Sequence, residues 1–207
     1  DFTCGAWGAR PWADVLDGNS HMFANMASHS IEVTEAEHPI EILAYEFVAD
    51  RAGAGKYRGG VPFRRDYRLT ETEATLQVRS DRRTHRPFGL YGGSPGAPSS
   101  NTMNPDGEAR DLPSKLTMTI QRGDVFRHVL AGAGGWGDPL ERDPAAVLRD
   151  VRNELLSSAR AKADYGVVVD TRRWAVDAKA TARERERMRK ARGWREVPKV
   201  QRLDPVT

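Results

Sequence analysis

The feature that most constrains this chain is a series of short strand-like runs broken by glycine-dense stretches. The first such stretch is Ala52-Gly53-Ala54-Gly55-Lys56-Tyr57-Arg58-Gly59-Gly60, and a second glycine loop reads Gly132-Ala133-Gly134-Gly135-Trp136-Gly137-Asp138-Pro139. Helix interiors do not carry glycine at this density, because each one adds backbone freedom that folding must remove. Between these stretches, alternation of apolar and polar residues predicts strands. Pro62–Thr70 sets Phe63, Arg65, Tyr67 and Leu69 against Arg64, Asp66 and Arg68, the pattern of a half-exposed strand. Glu73–Ser80 sets Ala74, Leu76 and Val78 against Thr75, Gln77 and Arg79, and the spacer Thr70–Thr72 predicts that the two runs form an antiparallel hairpin. Ile31–Val33 and Ile40–Ala49 also read as strands. The second is apolar on both faces and is expected to be covered on two sides. Leu116–Gln121 and Asp124–Leu130 flank a turn at Arg122-Gly123, and residues 86–113, rich in Pro, Gly, Ser and Asn, read as a long loop with a task of its own.

Helical signals come late. Asp143-Pro144 supplies an N-cap and a first-turn proline, followed by Val147, Val151 and Leu155 on one face with Leu148 and Leu156 beside it. Tyr165–Val169 reads as a short strand. Thr171–Lys190 reads as an exposed helix whose thin stripe of Trp174, Ala178, Ala182 and Met188 is expected to rest on a partner. Strands first and helices last predict an α+β fold with a mostly antiparallel β core, glycine-rich loops and C-terminal helices. The organisation expected is an irregular lead-in (1–30), a β-rich domain (31–170) and a basic helical tail (171–207).

Charge narrows the function. Residues 171–202 hold twelve Lys and Arg against four Asp and Glu, so the overall +3 leaves the rest of the chain acidic, at −5. Basic charge confined to one tail does not predict a nucleic-acid interface. No apolar run approaches the ~18 residues of a membrane span, and the start shows no basic and apolar segments of a secretory signal. The first residue is Asp1 and not Met, which raises the expectation of a processed or shortened chain. Cys4 is the single cysteine, so an internal disulfide and a cysteine-based metal site are excluded, and a reducing cytoplasm is expected.

The densest polar cluster is Asp81-Arg82-Arg83-Thr84-His85-Arg86-Pro87, at a predicted strand end where side chains can reach into a cleft. His85, oriented by Asp81, is a candidate general base, and the arginines are candidates for clamping a carboxylate or phosphate. The alternative is a solvated, salt-bridged strand end. The first glycine loop, with Lys56 and Arg58, is either a phosphate cradle or a turn. It lacks the Lys-Ser/Thr end of a P-loop. His21, His29, His38 and His128 are scattered. Glu35, Glu37 and His38 are either a hard-metal site or an exposed loop, and metal binding by this chain alone is not expected.

Several stretches together resemble the C-terminal part of the hydantoinase B/oxoprolinase family, which includes N-methylhydantoinase B-like proteins and is related to the acetone carboxylase alpha subunit. They are Glu35-Ala36-Glu37-His38-Pro39-Ile40, Tyr45-Glu46-Phe47, Asp50 through Gly60, Ser80-Asp81-Arg82, Pro87-Phe88-Gly89-Leu90-Tyr91-Gly92-Gly93, Gly123-Asp124 and Gly132–Pro139. Asp150-Val151 and Tyr165-Gly166-Val167-Val168 close the series. The family's usual Asp-Ser-Gly-Gly-Ala-Gly stands here as Asp50-Arg51-Ala52-Gly53-Ala54-Gly55. The resemblance implies a fragment or small subunit of an ATP-dependent cyclic amide hydrolase of the hydantoinase/5-oxoprolinase type. A subunit of an ATP-dependent ketone carboxylase and a non-catalytic assembly subunit are the alternatives. It further implies that ATP and a divalent metal bind outside this chain. The partners it implies are a hydantoinase A-type subunit and the N-terminal half of a B-type subunit. Under this reading Asp81 and His85 are the catalytic candidates and Arg58 and Arg82 contact substrate. Gly53, Gly55, Gly59, Gly60, Gly134, Gly135 and Gly137 shape the loops.

Overall fold

The computed structural model describes residues 5–20, 23–25, 27–194 and 196–201, so Cys4 and His21 lie outside it. An irregular lead-in runs to α1 (Ile31–Glu37) and β1 (Ile40–Phe47). Then come β2 (Phe63–Leu69), β3 (Glu73–Arg79), β4 (Gly89–Leu90), β5 (Ser100–Met103), β6 (Arg110–Leu112), β7 (Lys115–Gln121) and β8 (Val125–Val129). A short 3-10 turn (Pro139–Glu141) leads to α2 (Pro144–Arg152), α3 (Ser158–Tyr165), β9 (Val169–Asp170), β10 (Ala175–Val176), α4 (Ala178–Ala191) and β11 (Val200–Gln201). The fold is α+β. Its main sheet has the order β1-β2-β8-β5-β6, antiparallel throughout, and a two-stranded ribbon, β3-β7, stands beside it.

Local sequence explains much of this. Asp143 caps α2 by accepting from the Ala145 amide, with Pro144 at the first position, as the sequence predicts. β3 and β7 pair in a register that puts Ala74 opposite Ile120, Leu76 opposite Met118 and Val78 opposite Leu116, one apolar face against the sheet. There Leu69, Val78, Met103, Leu112, Ile120 and Phe126 form one core. A second core gathers Val147, Val151, Leu156, Ala161, Tyr165 and Val167 from the helical end around Ala54.

Tertiary context overrides the sequence reading at several points. Ile31–Val33 is helical and not a strand: Ser30 caps α1 through its Oγ, which accepts from Val33 N, and local capping outweighs a β-leaning trio. Glu35 and Glu37 therefore lie on a helix, and Glu35 Oε1 accepts from Ile42 N at 2.7 Å. β1 ends at Phe47 and is an edge strand with an irregularity between Ile42 and Ala44, leaving Leu43, Tyr45 and Phe47 exposed and not covered on two sides. The half-exposed reading of β2 fails at Asp66, which is buried on the side expected to be exposed and held by Arg127 at 2.7 Å, while Arg65 is buried on the inward side with Phe63 and Leu69. β2 and β3 do not form a hairpin. The chain swings out after Leu69, and β3 pairs with β7 in the ribbon. The same alternation suits either partner. Residues 86–113 hold β4, β5 and β6 and are not one long loop. α2 stops at Arg152, because Glu154 adopts φ 58° and Ser157 caps a separate helix, α3, so Leu155 lies outside α2. Tyr165 ends α3, and the strand after it is only Val169–Asp170.

The tail helix begins at Ala178, not at Thr171, and rests on this chain's own body. Its arginines reach carbonyl oxygens at element ends: Arg185 donates to Tyr165 O at 3.0 Å and Arg142 O at 2.6 Å. Thr181 is buried and accepts from Val168 N. Arginine suits this role because its planar fork satisfies several orphan carbonyls at once.

Candidate functional site

Glycine-rich segments far apart in sequence meet at the middle of the molecule. Residues 50–60, 88–97 and 131–137 lie backbone against backbone. Gly53 N donates to Ala133 O at 2.7 Å, Ser94 N to Ala54 O at 2.7 Å, Leu90 N to Gly135 O at 3.0 Å, and Tyr57 and Trp136 exchange two bonds at 3.0 Å. A Cβ at Gly53, Gly59, Gly134 or Gly135 would lie within 2.2 Å of a backbone oxygen, so only glycine permits the approach. Gly55, Gly60 and Gly137 belong to the same layer, and Trp136 packs against Tyr57 and Tyr91, ring centroids 6.1 and 5.4 Å away. The amides of Gly53, Gly59, Gly60, Ala133 and Gly135 all donate to backbone carbonyls. A phosphate cradle needs such amides free, and here they are used.

A buried ionic centre pins the lead-in and helices to this layer. Arg58, 4 % exposed, bonds Asp17 at 2.8 Å and faces Asp150 at 3.4 Å. Arg142 bonds Asp14 at 2.6 Å and Asp150 at 2.8 Å, and its guanidinium lies 5.9 Å from the Tyr165 ring centroid. Burial works against both guanidinium charges, and the aspartates more than reverse it, so both pKa values are raised. Burial likewise pushes the Asp14 carboxyl up, and Arg142, with the Arg58 amide, brings it below its ordinary 3.8. Tyr165 is pushed up by burial. Arg58 thus stands inside a closed network, apart from the other candidates.

Asp81, Arg82 and His85 sit together at the end of β3, all exposed, around a shallow depression that Ser114 and Lys115 complete. Arg82 has φ 61°, a left-handed conformation unusual for its type, and Ser99 pins the bend by donating Oγ to Asp81 O at 2.5 Å and N to Arg82 O at 3.1 Å. No bond joins Asp81 to His85 among the described contacts. Arg83 pairs with Asp111 and Arg86 donates to Gly96 O, so the arginines of this run do not converge. The side chains Asp81, Arg82 and His85 can reach a ligand or partner laid over the strand end.

Beside this cluster, a cleft of about 300 Å³ opens between the ribbon and the sheet, lined by Tyr67, Leu76, Val78, Ser80, Phe126 and His128 among others. His128 Nδ1 stands 2.6 Å from Asn101 Oδ1, and Asn101 Nδ2 donates to Ser80 Oγ at 2.9 Å and Pro113 O at 3.0 Å. Sequence reading named His128 only among scattered histidines and Asp150 only within a family-like motif, and passed over Asn101, Arg142, Asp14 and Asp17. His128 had a signal, since it shares the inward parity of Phe126 on β8. Asp14, Asp17 and Arg142 had none, because their partners are remote in the chain. Among the described residues no three His, Cys, Asp or Glu side chains stand together as a metal site. No helix among the described residues is long and apolar enough to cross a membrane.

The Hydantoinase B/oxoprolinase family matches residues 1–139. The B subunit of a putative D-/L-hydantoinase from a Pseudomonas species is 30% identical over 172 residues, covering 82% of this chain and 29% of that protein. The beta subunit of caprolactamase from Pseudomonas jessenii is 33% identical over 153 residues, 72% of this chain and 26% of that protein. The crystal structure of ATP-dependent caprolactamase from Pseudomonas jessenii superposes at a TM-score of 0.78 with 29% identity, covering 89% of this chain and 33% of that one. A nucleotide-free acetone carboxylase structure shares the fold at a TM-score of 0.76 and 23% identity, over 91% of this chain and 30% of that one. The chain spans a third or less of the length of these relatives. On the match over residues 1–139, supported by the shared fold and the ordered motifs that run through it, this chain belongs to the hydantoinase B/oxoprolinase family.

Proposed function

We propose that this chain forms the C-terminal part of a B-type subunit in an ATP-dependent enzyme that opens cyclic amides. The observation that carries the reading is the superposition of 89% of the chain on ATP-dependent caprolactamase. ATP and a divalent metal are held elsewhere in the assembly; for the nucleotide, the backbone bonds already made by the amides of Gly53, Gly59, Gly60 and Gly135 support this. An A-type subunit and the remainder of a B-type subunit are the partners, and a cytoplasm supplies the ATP. Asp81, Arg82 and His85, exposed at one strand end, meet substrate or partner, with His85 the candidate base. Arg58 positions the first glycine segment through Asp17 and Asp150 and does not touch substrate. The acetone carboxylase likeness favours a second reading, ketone carboxylation on the same scaffold. A non-catalytic assembly role is the third.

The test is reconstitution. The chain is combined with an A-type subunit and the rest of a B-type subunit, and supplied with ATP, Mg²⁺ and either a cyclic amide or acetone with bicarbonate. Amide opening that needs all components supports the first reading, and carboxylation alone supports the second. No turnover from a stably assembled complex leaves the assembly role. In an amide-opening complex, His85→Ala lowers turnover at least about 100-fold if His85 is the base, and unchanged turnover removes it.

A further inference from the structure

Two arginines beside the glycine layer are drawn to one stretch of backbone. Arg51 Nη2 donates to Pro98 O, and Arg86 Nε donates to Gly96 O at 2.8 Å. Two residues of chain span at most about 7 Å, so both guanidiniums are anchored close together. The stretch is itself fixed: Ala97 N donates to Arg51 O at 2.9 Å and Gly96 N to Pro87 O at 3.0 Å. Both arginines are half-buried, and Arg51 Nε is buried and meets no acceptor among the described residues. Burial lowers the pKa of each, and a neighbouring cation adds to the effect, Arg86 for Arg51 and Arg160 for Arg86. Among the described residues no carboxylate pairs with Arg51 or Arg86. Arg160 differs, because Asp164 pairs with it at 2.9 Å. Arg58 and Arg142 differ more, since each holds two aspartates.

We propose that Arg51 and Arg86 together bind a phosphate group, either inorganic phosphate or a small phosphate monoester, against the Gly96–Pro98 stretch. A guanidinium presents its donors as a planar fork that matches an oxyanion. Arg51 gives Nη2 and Arg86 gives Nε to the backbone, so Nη1 of Arg51 and both Nη groups of Arg86 keep donors to offer. Those backbone bonds hold each fork in place before a ligand arrives, which limits the rotamer entropy lost on binding. Charge selects the class of ligand. Two neighbouring cations without a carboxylate call for two negative charges, and a phosphate monoester carries about −1.5 to −2 near pH 7. A single carboxylate leaves one cation uncompensated. The site is built from side chains, whereas the amides of Gly53, Gly59, Gly60 and Gly135 are already used by backbone carbonyls. It concerns binding by this chain alone and does not rest on the ATP-coupled reading.

The experiment uses the ¹⁵N-labelled 207-residue chain and follows the arginine Nε–H signals by NMR near pH 7. Inorganic phosphate, methyl phosphate and acetate are titrated in turn at constant ionic strength, which removes general screening. The expected result is that the Arg51 and Arg86 signals move together with either phosphate, and that phosphate binds at least about tenfold tighter than acetate. Arg51→Gln and Arg86→Gln each remove that advantage. Tighter binding of methyl phosphate than of inorganic phosphate identifies a monoester as the ligand, and the reverse identifies the free ion. Movement confined to other arginines, equal affinity for phosphate and acetate, or an undiminished phosphate response in both variants overturns the proposal. Equal affinity for acetate points instead to a partner's carboxylate. The wild-type comparison of phosphate with acetate decides even if a variant does not fold, because a purely structural pair of arginines shows no such preference.

Discussion

Where the glycine segments cross, a Cβ on Gly134 would lie 1.8 Å from the Phe88 carbonyl oxygen. Between the sheet and the ribbon, by contrast, the space is filled by Met103, Leu112, Ile120 and Phe126. The first region is held by backbone hydrogen bonds and by two buried arginines shared among three aspartates. The second is held by apolar side chains and leaves a cleft at its margin. Backbone contacts and buried charges need one geometry, and they fail if it is disturbed. Apolar packing tolerates change in proportion to the volume altered. The comparison teaches that this fold puts its rigidity around the glycine layer and its adaptable space beside the ribbon.

The sharpest way to break that contrast is Gly134→Ala. It should cost more than about 4 kcal/mol, because backbone and not a flexible side chain must move. Chemical denaturation measures it, and a loss under about 1 kcal/mol would mean the segments can part. Next in size is Arg142→Met, which leaves Asp14 and Asp150 without their shared cation and should cost about 3 kcal/mol or more. Its pH signature is specific. The Asp14 pKa in the folded chain lies below 3.8, so its stabilisation is present above that value and is lost as pH falls through the folded pKa. Denaturation from pH 6 down to pH 2 should show this acid loss in the wild type and a weaker one in Arg142→Met. Met103→Ala in the other core should cost about 2–3 kcal/mol, less than a full cavity, because the adjoining cleft lets neighbours relax. Smallest is Gly107→Ala, where an added Cβ meets only Asn104 O at 4.0 Å, and a change within about 0.5 kcal/mol is expected. The same denaturation curves rank the last two, and a reversed order would undo the distinction between the regions.

Much of this was legible because the signals were local. The Asp143-Pro144 cap placed α2, and alternation placed β3, β7 and β8, since each depends on residues a few positions apart. The ordered motifs were equally local. Pairing partners were not legible: an alternating strand presents the same face to any neighbour, so β3 looked like the mate of β2. The apolar run of β1 stated a capacity for burial that its edge position does not use. The candidate site divides the same way. Asp81, Arg82 and His85 are adjacent in sequence and adjacent in space. Arg58 was visible as a cation in a glycine loop, but its aspartate partners lie about 40 and 90 positions away and only folding brings them to it.

The sequence by itself determined where backbone freedom is concentrated, which runs can be strands, where α2 starts, and the family. These follow from conformational preference and short-range periodicity, which act along the chain. Only the tertiary structure decided that the glycine segments close on one another, that the tail arginines cap the body's own carbonyls, and that Arg58 and Arg142 share Asp14, Asp17 and Asp150. Those outcomes depend on which donors, acceptors and charges meet across space, and no spacing along a chain encodes that.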